Sequence, residues 1–387
     1  MDVKSGARER IDASRSELIA LSHRIHAHPE LGFEEERAAA WLCDALDGGG
    51  FRVERGVGDL PTAFVARAGS GPLHVAICAE YDCLPGIGHA CGHNIIAASA
   101  VGSGLALARL ADDAGLTVSV IGTPAEEFGG GKIRLLESGA FRGAHAALMV
   151  HPAPIDAAVP PMLAWSHFDV HYRGKEAHAS GFPELGINAA DAITVAQTAI
   201  GLLRQHIRPT DRVHGIVTKG GDAANVVPAN TSVRYMVRAR TLGDLGEIQG
   251  KVMRCFEAGA LATGATMTVK PVCDPYAEML HDSELAAVYQ RNAEALGRFF
   301  PDLGALGGRA MGSTDMGNVS QALPSIHPVI GIDSLPAVNH QPEFAAHCVS
   351  EAADKALVDG ALALAWTAID LASDSSLRSR LLRSSGR

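Results

Sequence analysis

The run Leu73-His-Val-Ala-Ile-Cys-Ala79, continued as Glu80-Tyr-Asp-Cys-Leu-Pro-Gly-Ile-Gly-His-Ala-Cys-Gly-His-Asn94, decides how this chain is read. The apolar stretch reads as a buried strand, expected over 74–80, and the segment after it leads into a helix expected over 94–110. Working outward, further strands are expected at 62–67, 117–123 and 146–151, with helices at 37–46 and 132–139 between them. Strands alternating with helices give an α/β fold with a mixed, largely parallel sheet. Ser14-Arg-Ser-Glu17 has the form of a capping box and is expected to open a helix ending near 26.

The pattern changes near residue 165. Strands at 166–173, 213–219, 231–240 and 265–271 are interleaved with helices at 187–207 and 242–258. This β-α-β-β-α-β order is the split βαβ, ferredoxin-like sandwich. The helix-rich pattern then returns from about residue 275 to 373. The expected organisation is therefore a first domain built from 1–165 and 275–387, interrupted by an inserted α+β domain at 166–274. The Ser/Arg-rich tail from residue 373 is expected to fray.

Composition sets the outer limits. The chain has 387 residues, 47% hydrophobic and 20% charged, as expected for a two-domain soluble protein. A net charge of −10 with no compensating basic block excludes a general nucleic-acid binder. The charged start Met1-Asp-Val-Lys-Ser-Gly-Ala-Arg is not a secretory signal, and no run approaches the ~18 apolar residues of a membrane span. Seven scattered cysteines do not form a disulfide framework, so reduced thiols and a cytoplasmic protein are expected. Cys43, Cys78, Cys255, Cys273 and Cys348 are read as core filler.

Chemistry concentrates in the first domain. Cys91 and His93 pair a soft thiolate with an imidazole, a combination that binds transition metals. Glu126 and Glu127 follow an apolar run in Gly122-Thr-Pro-Ala-Glu-Glu127, before Gly129-Gly-Gly131. Adjacent acids on a turn are usually solvated, but on a loop one carboxylate can hold a metal while the other takes a proton from water. His151 closes another apolar run; alone it reads as structural, and beside the preceding ligands as a further one. His340 lies in a polar turn, Ala337-Val-Asn-His-Gln-Pro-Glu343, and alone carries little weight. His178, Asn225 and Arg238 lie in the inserted domain, where His178 suits an oxyanion donor better than a ligand.

These motifs resemble the M-20 metallopeptidase family of dinuclear amidohydrolases. The resemblance runs from about Ser16 to Asp370 and is nearest the branch of the p-aminobenzoyl-glutamate hydrolase subunits and β-alanyl-lysine-type dipeptidases. It rests on Glu80-Tyr-Asp-Cys-Leu-Pro, Gly88-His-Ala-Cys-Gly-His-Asn94, Gly122-Thr-Pro-Ala-Glu-Glu127, Gly174-Lys-Glu-Ala-His-Ala-Ser180, Arg212-Val-His-Gly-Ile216, Asn225-Val-Val-Pro228 and Gly312-Ser-Thr-Asp-Met-Gly-Asn-Val-Ser320. It implies that Cys91, His93, Glu127, His151 and His340 hold two divalent metals, zinc or manganese, with Cys91 bridging. It implies that Glu126 is the general base, that Asp82 orients a ligand histidine, and that His178 and Asn225 bind the tetrahedral intermediate. Arg238 would pair with a substrate carboxylate. It further implies a homodimer through the insert, with His178 reaching the partner's site, and leaves room for a related second subunit. Asn94 stands where the wider subgroup has aspartate after Cys-Gly-His, a mark shared with the branch named above.

The expected activity is metal-dependent hydrolysis of an amide bond in a small N-acyl amino acid or dipeptide-like substrate. The competing readings are a deaminase or amidine hydrolase on the same scaffold, a metal-free amidohydrolase with Cys91 as nucleophile, and a non-catalytic binding subunit.

Overall fold

A computed structural model describes residues 3–302 and 312–384. The chain divides into two compact units, Met1–Pro161 with Met279–Arg387, and Met162–Glu278. The second unit is therefore wider at both ends than the 166–274 read from the sequence. The part of the returning helical pattern at 303–311, and the tail at 385–387, lie outside the described residues.

The first unit begins with α1 (Val3–Ala27), α2 (Glu36–Gly48), β1 (Arg52–Arg55), β2 (Phe64–Ala68), β3 (Leu73–Ala79), α3 (His93–Ala108), β4 (Leu116–Gly122), α4 (Gly131–Glu137), β5 (Ala146–Leu148) and β6 (His151–Ala153). The second unit contributes β7 (Ala164–Arg173), α5 (Ala189–Leu203), β8 (Arg212–Lys219), β9 (Asn230–Ala239), α6 (Leu242–Thr263) and β10 (Thr266–Pro271). The chain then returns through α7 (Ser283–Glu294), α8 (Met316–Ala322), β11 (Ser325–Ile326), β12 (Val329–Gly331), α9 (Pro342–His347), α10 (Glu351–Ser373) and α11 (Ser375–Ser384).

The first unit carries a six-stranded sheet in the order β1-β2-β4-β3-β5-β11. The pairs β3–β4, β3–β5 and β5–β11 are parallel, and β1 and β2 extend the sheet antiparallel. This is the mixed, largely parallel sheet expected from the sequence. Because β3, β4 and β5 run the same way, their carboxyl ends share one edge, where α/β sheets bind ligands. The segments after those ends carry Glu80 and Asp82, Glu126 and Glu127, and His151.

Helix α3 packs so closely because its sequence is small. Ala97, Ala98, Ser99, Ala100, Ser103 and the two glycines are buried. A side chain at Gly102 would meet Leu18 of α1 and Ala361 of α10 at 2.9 and 3.0 Å, and one at Gly104 would meet Val120 of β4 at 2.6 Å. Helix α10 is long and apolar enough to cross a membrane, contrary to the reading of the sequence. The most apolar part of it is 89% buried within the fold, so it is a core helix.

Four other expectations are corrected. Ser14-Arg-Ser-Glu17 is not a helix start: α1 begins at Val3, and the Ser14 hydroxyl donates to the Arg10 carbonyl within the helix. This is the mid-helix bond that lets a serine satisfy itself without capping. The run 146–151 is two strands, since β6 leaves the large sheet and pairs in parallel with β12, Val329 opposite His151. The tail forms α11, whose Arg380 makes a bidentate pair with Asp282 at 2.7 and 2.9 Å. Of the cysteines read as core filler, Cys255 and Cys273 are only partly buried.

The second unit is a four-stranded antiparallel sheet, β10-β7-β9-β8, with α5 and α6 on one face. Alternation along β7 and β9 turns Phe168, Val170, Tyr172, Val233, Tyr235 and Val237 into one core with the helices. Phe256 of α6 is at its centre, edge-on to Tyr235 at 5.0 Å and to Phe168 at 6.2 Å. Truncation there opens a cavity that cannot collapse, so Phe256→Ala is expected to cost about 3–5 kcal/mol. Urea unfolding followed by circular dichroism checks this; a loss under about 1 kcal/mol, within the range of a surface substitution, would contradict the packing.

Candidate metal centre

Gly92 sets the geometry at the start of α3. It adopts φ +76°, and a side chain there would press on Pro152 at 2.4 Å. Only glycine holds this left-handed turn without strain at such a close approach. Cys91 on one side and His93 on the other are thereby aimed at the strand ends.

Cys91 Sγ lies 3.5 Å from His151 Nε2 and 3.5 Å from His340 Nε2. His340 Nε2 is 3.8 Å from Glu127 Oε2. His93 Nε2 is 3.8 Å from Glu127 Oε1, 3.9 Å from Glu126 Oε2 and 3.5 Å from Glu80 Oε2. Three groups of donor atoms result: Cys91 with His93 and His151, Cys91 with Glu127 and His340, and Glu80 with His93 and Glu126. Within each group the atoms lie within 4.8 Å of one another, and the first two groups share Cys91.

The residues around the ligand-type groups fix their orientation. His93 Nδ1 donates to Asp82 Oδ1 at 2.9 Å, which leaves Nε2 to face the cluster. Asp82 Oδ2 accepts the Glu127 amide at 3.0 Å. His151 Nδ1 bonds the Pro152 carbonyl at 2.8 Å, and its ring stacks on buried His327. The backbone N–H of His340 donates to the Ala90 carbonyl at 2.9 Å, tying a distant loop to the Cys91 segment.

The electrostatics favour a bound cation. Burial pushes the Cys91 thiol well above its usual range, and Glu127 nearby pushes the same way. Burial likewise raises Glu126, with Glu80 and Glu127 adding to it, and raises Glu127 to about 7. Burial with the His93 charge lowers His151 to about 4. Asp82 moves the other way: burial would raise it, but His93 and the hydrogen bonds it accepts hold it low. Among the described residues, His93 Nε2, Glu80 Oε2 and Glu127 Oε1 are buried with no hydrogen-bond partner. Buried polar atoms left bare are costly, and a divalent cation among them would satisfy them together. A thiolate, imidazoles and carboxylates are the donor set for a transition metal.

The structure thus brings Cys91, His93, Glu126, Glu127, His151, His340 and Asp82 together in the first unit. His178, Asn225 and Arg238 belong to the second. There His178 and Asn225 are neighbours, since the Ala179 amide donates to the Asn225 carbonyl at 3.1 Å. His178 Nδ1 accepts the Gly181 amide at 3.0 Å, and the imidazole is exposed. The Arg238 guanidinium lies over the Trp165 ring at 5.5 Å. Asn94, the departure noted in the sequence, directs its amide to the Ser22 hydroxyl and the Cys348 carbonyl at 2.8 and 3.1 Å. It ties α3 to its neighbours and is not a member of any of the three donor groups.

Reading the sequence missed Glu80 as a member of the cluster, and missed Lys132 altogether. Lys132 follows the glycine run, in the first turn of α4. Its ammonium is wholly buried, 2.6 Å from Glu80 Oε1 and 2.6 Å from Asp315 Oδ1. Burial would lower its pKa, and the two carboxylates more than reverse that. Asp315 Oδ2 also accepts the Lys132 amide at 2.9 Å. A lysine at the start of the helix expected over 132–139 reads as a solvated charge; only the carboxylates in Glu80-Tyr-Asp and Ser-Thr-Asp315 could have signalled a partner.

The model of peptidase family M20/M25/M40 matches residues 76–364. The chain belongs to this family. It is a metallo-hydrolase of amide bonds. It is 40% identical to the Xaa-Arg dipeptidase of Mus musculus over 386 residues, covering 95% of this chain and 89% of that one. It is 34% identical to a p-aminobenzoyl-glutamate hydrolase subunit of Escherichia coli (strain K12), covering 69% of this chain and 60% of that one. A dinuclear metal-binding peptidase of the M20 family from Bacillus subtilis shares the fold, with a TM-score of 0.71 at 22% identity over 94% of this chain and 99% of that one.

Replacing Lys132 by methionine keeps the volume but strands Glu80 and Asp315 without their countercharge. Breaking a buried pair from one side costs about 3–5 kcal/mol. Lys132→Met is expected to lose that much in chemical denaturation; wild-type stability would show that the carboxylates are neutralised in another way.

Proposed function

We propose that the chain hydrolyses the amide bond of a dipeptide-like substrate at a dinuclear centre held by Cys91, His93, Glu127, His151 and His340. The observation that carries this is the position of Cys91 Sγ, common to two donor groups, one completed by His93 and His151 and the other by Glu127 and His340. Zinc or manganese suits the donors. Divalent cations bound there would polarise the scissile carbonyl and acidify the attacking water.

Glu126 takes the proton from that water and delivers it to the departing amine. Its position supports this, since Oε2 is 3.9 Å from His93 Nε2 and Glu126 belongs to neither of the two donor groups that share Cys91, whereas Glu127 belongs to one. Burial among Glu80 and Glu127 keeps its affinity for a proton high in the metal-free cluster. Asp82 holds the His93 ring in one tautomer. His178 and Asn225 supply hydrogen bonds to the tetrahedral oxyanion. Arg238 pairs with the substrate's terminal carboxylate, its guanidinium supported on Trp165.

The substrate reading follows the relatives. The Xaa-Arg dipeptidases of Mus musculus and Homo sapiens are 40% and 38% identical, each over 95% of this chain. A dipeptide ending in a basic residue is therefore preferred over p-aminobenzoyl-glutamate, whose hydrolase matches a shorter part of the chain. A homodimer through the insert fits its edge strand β8, where Ile216 and Val217 are 63% and 46% exposed.

Three measurements test this reading. Mass-spectrometric product analysis on Xaa-Arg and Xaa-Lys dipeptides, p-aminobenzoyl-glutamate and N-acyl amino acids should show cleavage that chelation abolishes and metal restores. Glu126→Gln should bind metal normally and lose at least 100-fold in kcat, the lower bound for a general base; undiminished turnover with metal bound would exclude Glu126 as the base. In light scattering the protein should be a dimer, and a fully active monomer would remove any role for His178 across the dimer.

A further inference from the structure

The loop that presents Glu126 and Glu127 begins with a strained residue. Ala125 has φ +58°, the left-handed region, and is not glycine. An L-residue there costs roughly 1–2 kcal/mol, and such a conformation persists only where its surroundings over-determine it. Here the surroundings are specific. The Ala125 amide donates to Glu35 Oε1 at 2.8 Å. Glu35 Oε2 accepts the Thr62 hydroxyl at 2.9 Å. Glu35 is wholly buried in the first unit, at the start of α2, and neither bond reaches a donor atom of the metal cluster. Burial raises its pKa to about 7, with the Asp82 charge adding to the rise, so this carboxyl is kept inside at a cost.

The space around Ala125 is also shaped. A side chain at Gly32 would meet the Ala125 methyl at 2.8 Å, and one at Gly129 would meet it at 2.6 Å. The methyl therefore fits between two glycines, with the turn at Gly32–Phe33 on one side and the loop's own end on the other. The left-handed residue leads directly into the turn at 126–129. The Glu127 amide donates to Asp82, and both carboxylates face His93 while Glu127 also reaches His340.

From this geometry we propose that Glu35 is a positioning residue for the centre: its carboxylate holds Ala125 in the left-handed conformation that directs Glu126 and Glu127 into the cluster. Glu35 touches neither the proposed ligands nor the base, and it acts through one backbone hydrogen bond. The proposal rests on the reading of Glu127 as a ligand and Glu126 as the base.

The test uses the full chain with Co2+ as the probe, because a Cys91 thiolate on cobalt gives an absorption band independent of turnover. Glu35→Met removes the acceptor and keeps the volume. Its Co2+ affinity is expected to fall 10–100-fold, as for other residues that orient ligands. Glu35→Gln retains an amide oxygen for the Ala125 N–H and is expected to bind Co2+ within about threefold of wild type on the same reasoning. Ala125→Gly removes the left-handed penalty, so combining it with Glu35→Met is expected to recover at least half of the logarithmic loss. Should Glu35→Met fail to fold, the double variant folding with cobalt bound supports the proposal, and its failing to bind overturns it. Wild-type affinity in Glu35→Met, or the same loss with and without Ala125→Gly, also overturns it. These outcomes are separate from the fate of the base: full turnover in Glu126→Gln would remove that role and leave the Glu35 coupling to be decided by metal binding.

Discussion

The first unit depends on how it neutralises buried negative charge. Glu80, Asp82, Glu126, Glu127 and Asp315 are all buried at one edge of the sheet. Carboxylates taken out of water cost several kcal/mol each unless paired. At this edge two groups answer that charge, and both are committed: Lys132 to Glu80 and Asp315, His93 to Asp82. The remaining carboxylates face Cys91, His151 and His340. Divalent cations bound there would balance their charge. On this view metal binding is part of the stability of the edge as well as of its chemistry.

The parallel sheet makes the concentration of charge possible. Three neighbouring strands end at one edge, so residues far apart in sequence arrive together without long connections. Asp82 shows how tightly they are then tied: one oxygen holds His93 of α3, and the other holds the backbone of Glu127 beyond β4. His340 enters from beyond β12 and is fixed to the same place by its bond to Ala90. His93, Glu127, His151 and His340 are thus each secured through a backbone or carboxylate bond.

Much of this was legible in the sequence. The alternation of apolar runs and helices gives the mixed sheet, and the change of rhythm near residue 165 gives the split βαβ unit, because strand and helix periods differ so strongly. Cys91-Gly-His93 and Glu126-Glu127 stand out because their residue types are rare beside apolar runs. The rest was hidden for physical reasons. Lys132 and Glu35 look like surface charges, and their burial follows from partners, Asp315 and Ala125, that are distant in the chain. Ser14 and Glu17 imitate a helix cap because spacing alone does not report that α1 already runs through them. Helix α10 is masked the other way, since Lys355, Asp354 and Asp359 break an apolar run that the core nonetheless buries.

Backbone strain in the first unit also sits beside the donor atoms. Ala125 and His340, at φ +58° and +69°, flank the cluster from two loops, and neither is glycine. Glycine would relieve the strain, but it would also let each loop sample many other conformations. At Ala125 the methyl fills the gap between Gly32 and Gly129, so alternatives that swing it away leave a void, and the left-handed state is retained by packing as well as by Glu35. At His340 the ring must reach Cys91 from a polar turn while its amide reaches Ala90, and a left-handed residue does both within one position. A site that must hold two carboxylates and an imidazole to within a few tenths of an ångström is better served by a strained loop with one accessible state than by a relaxed loop with several.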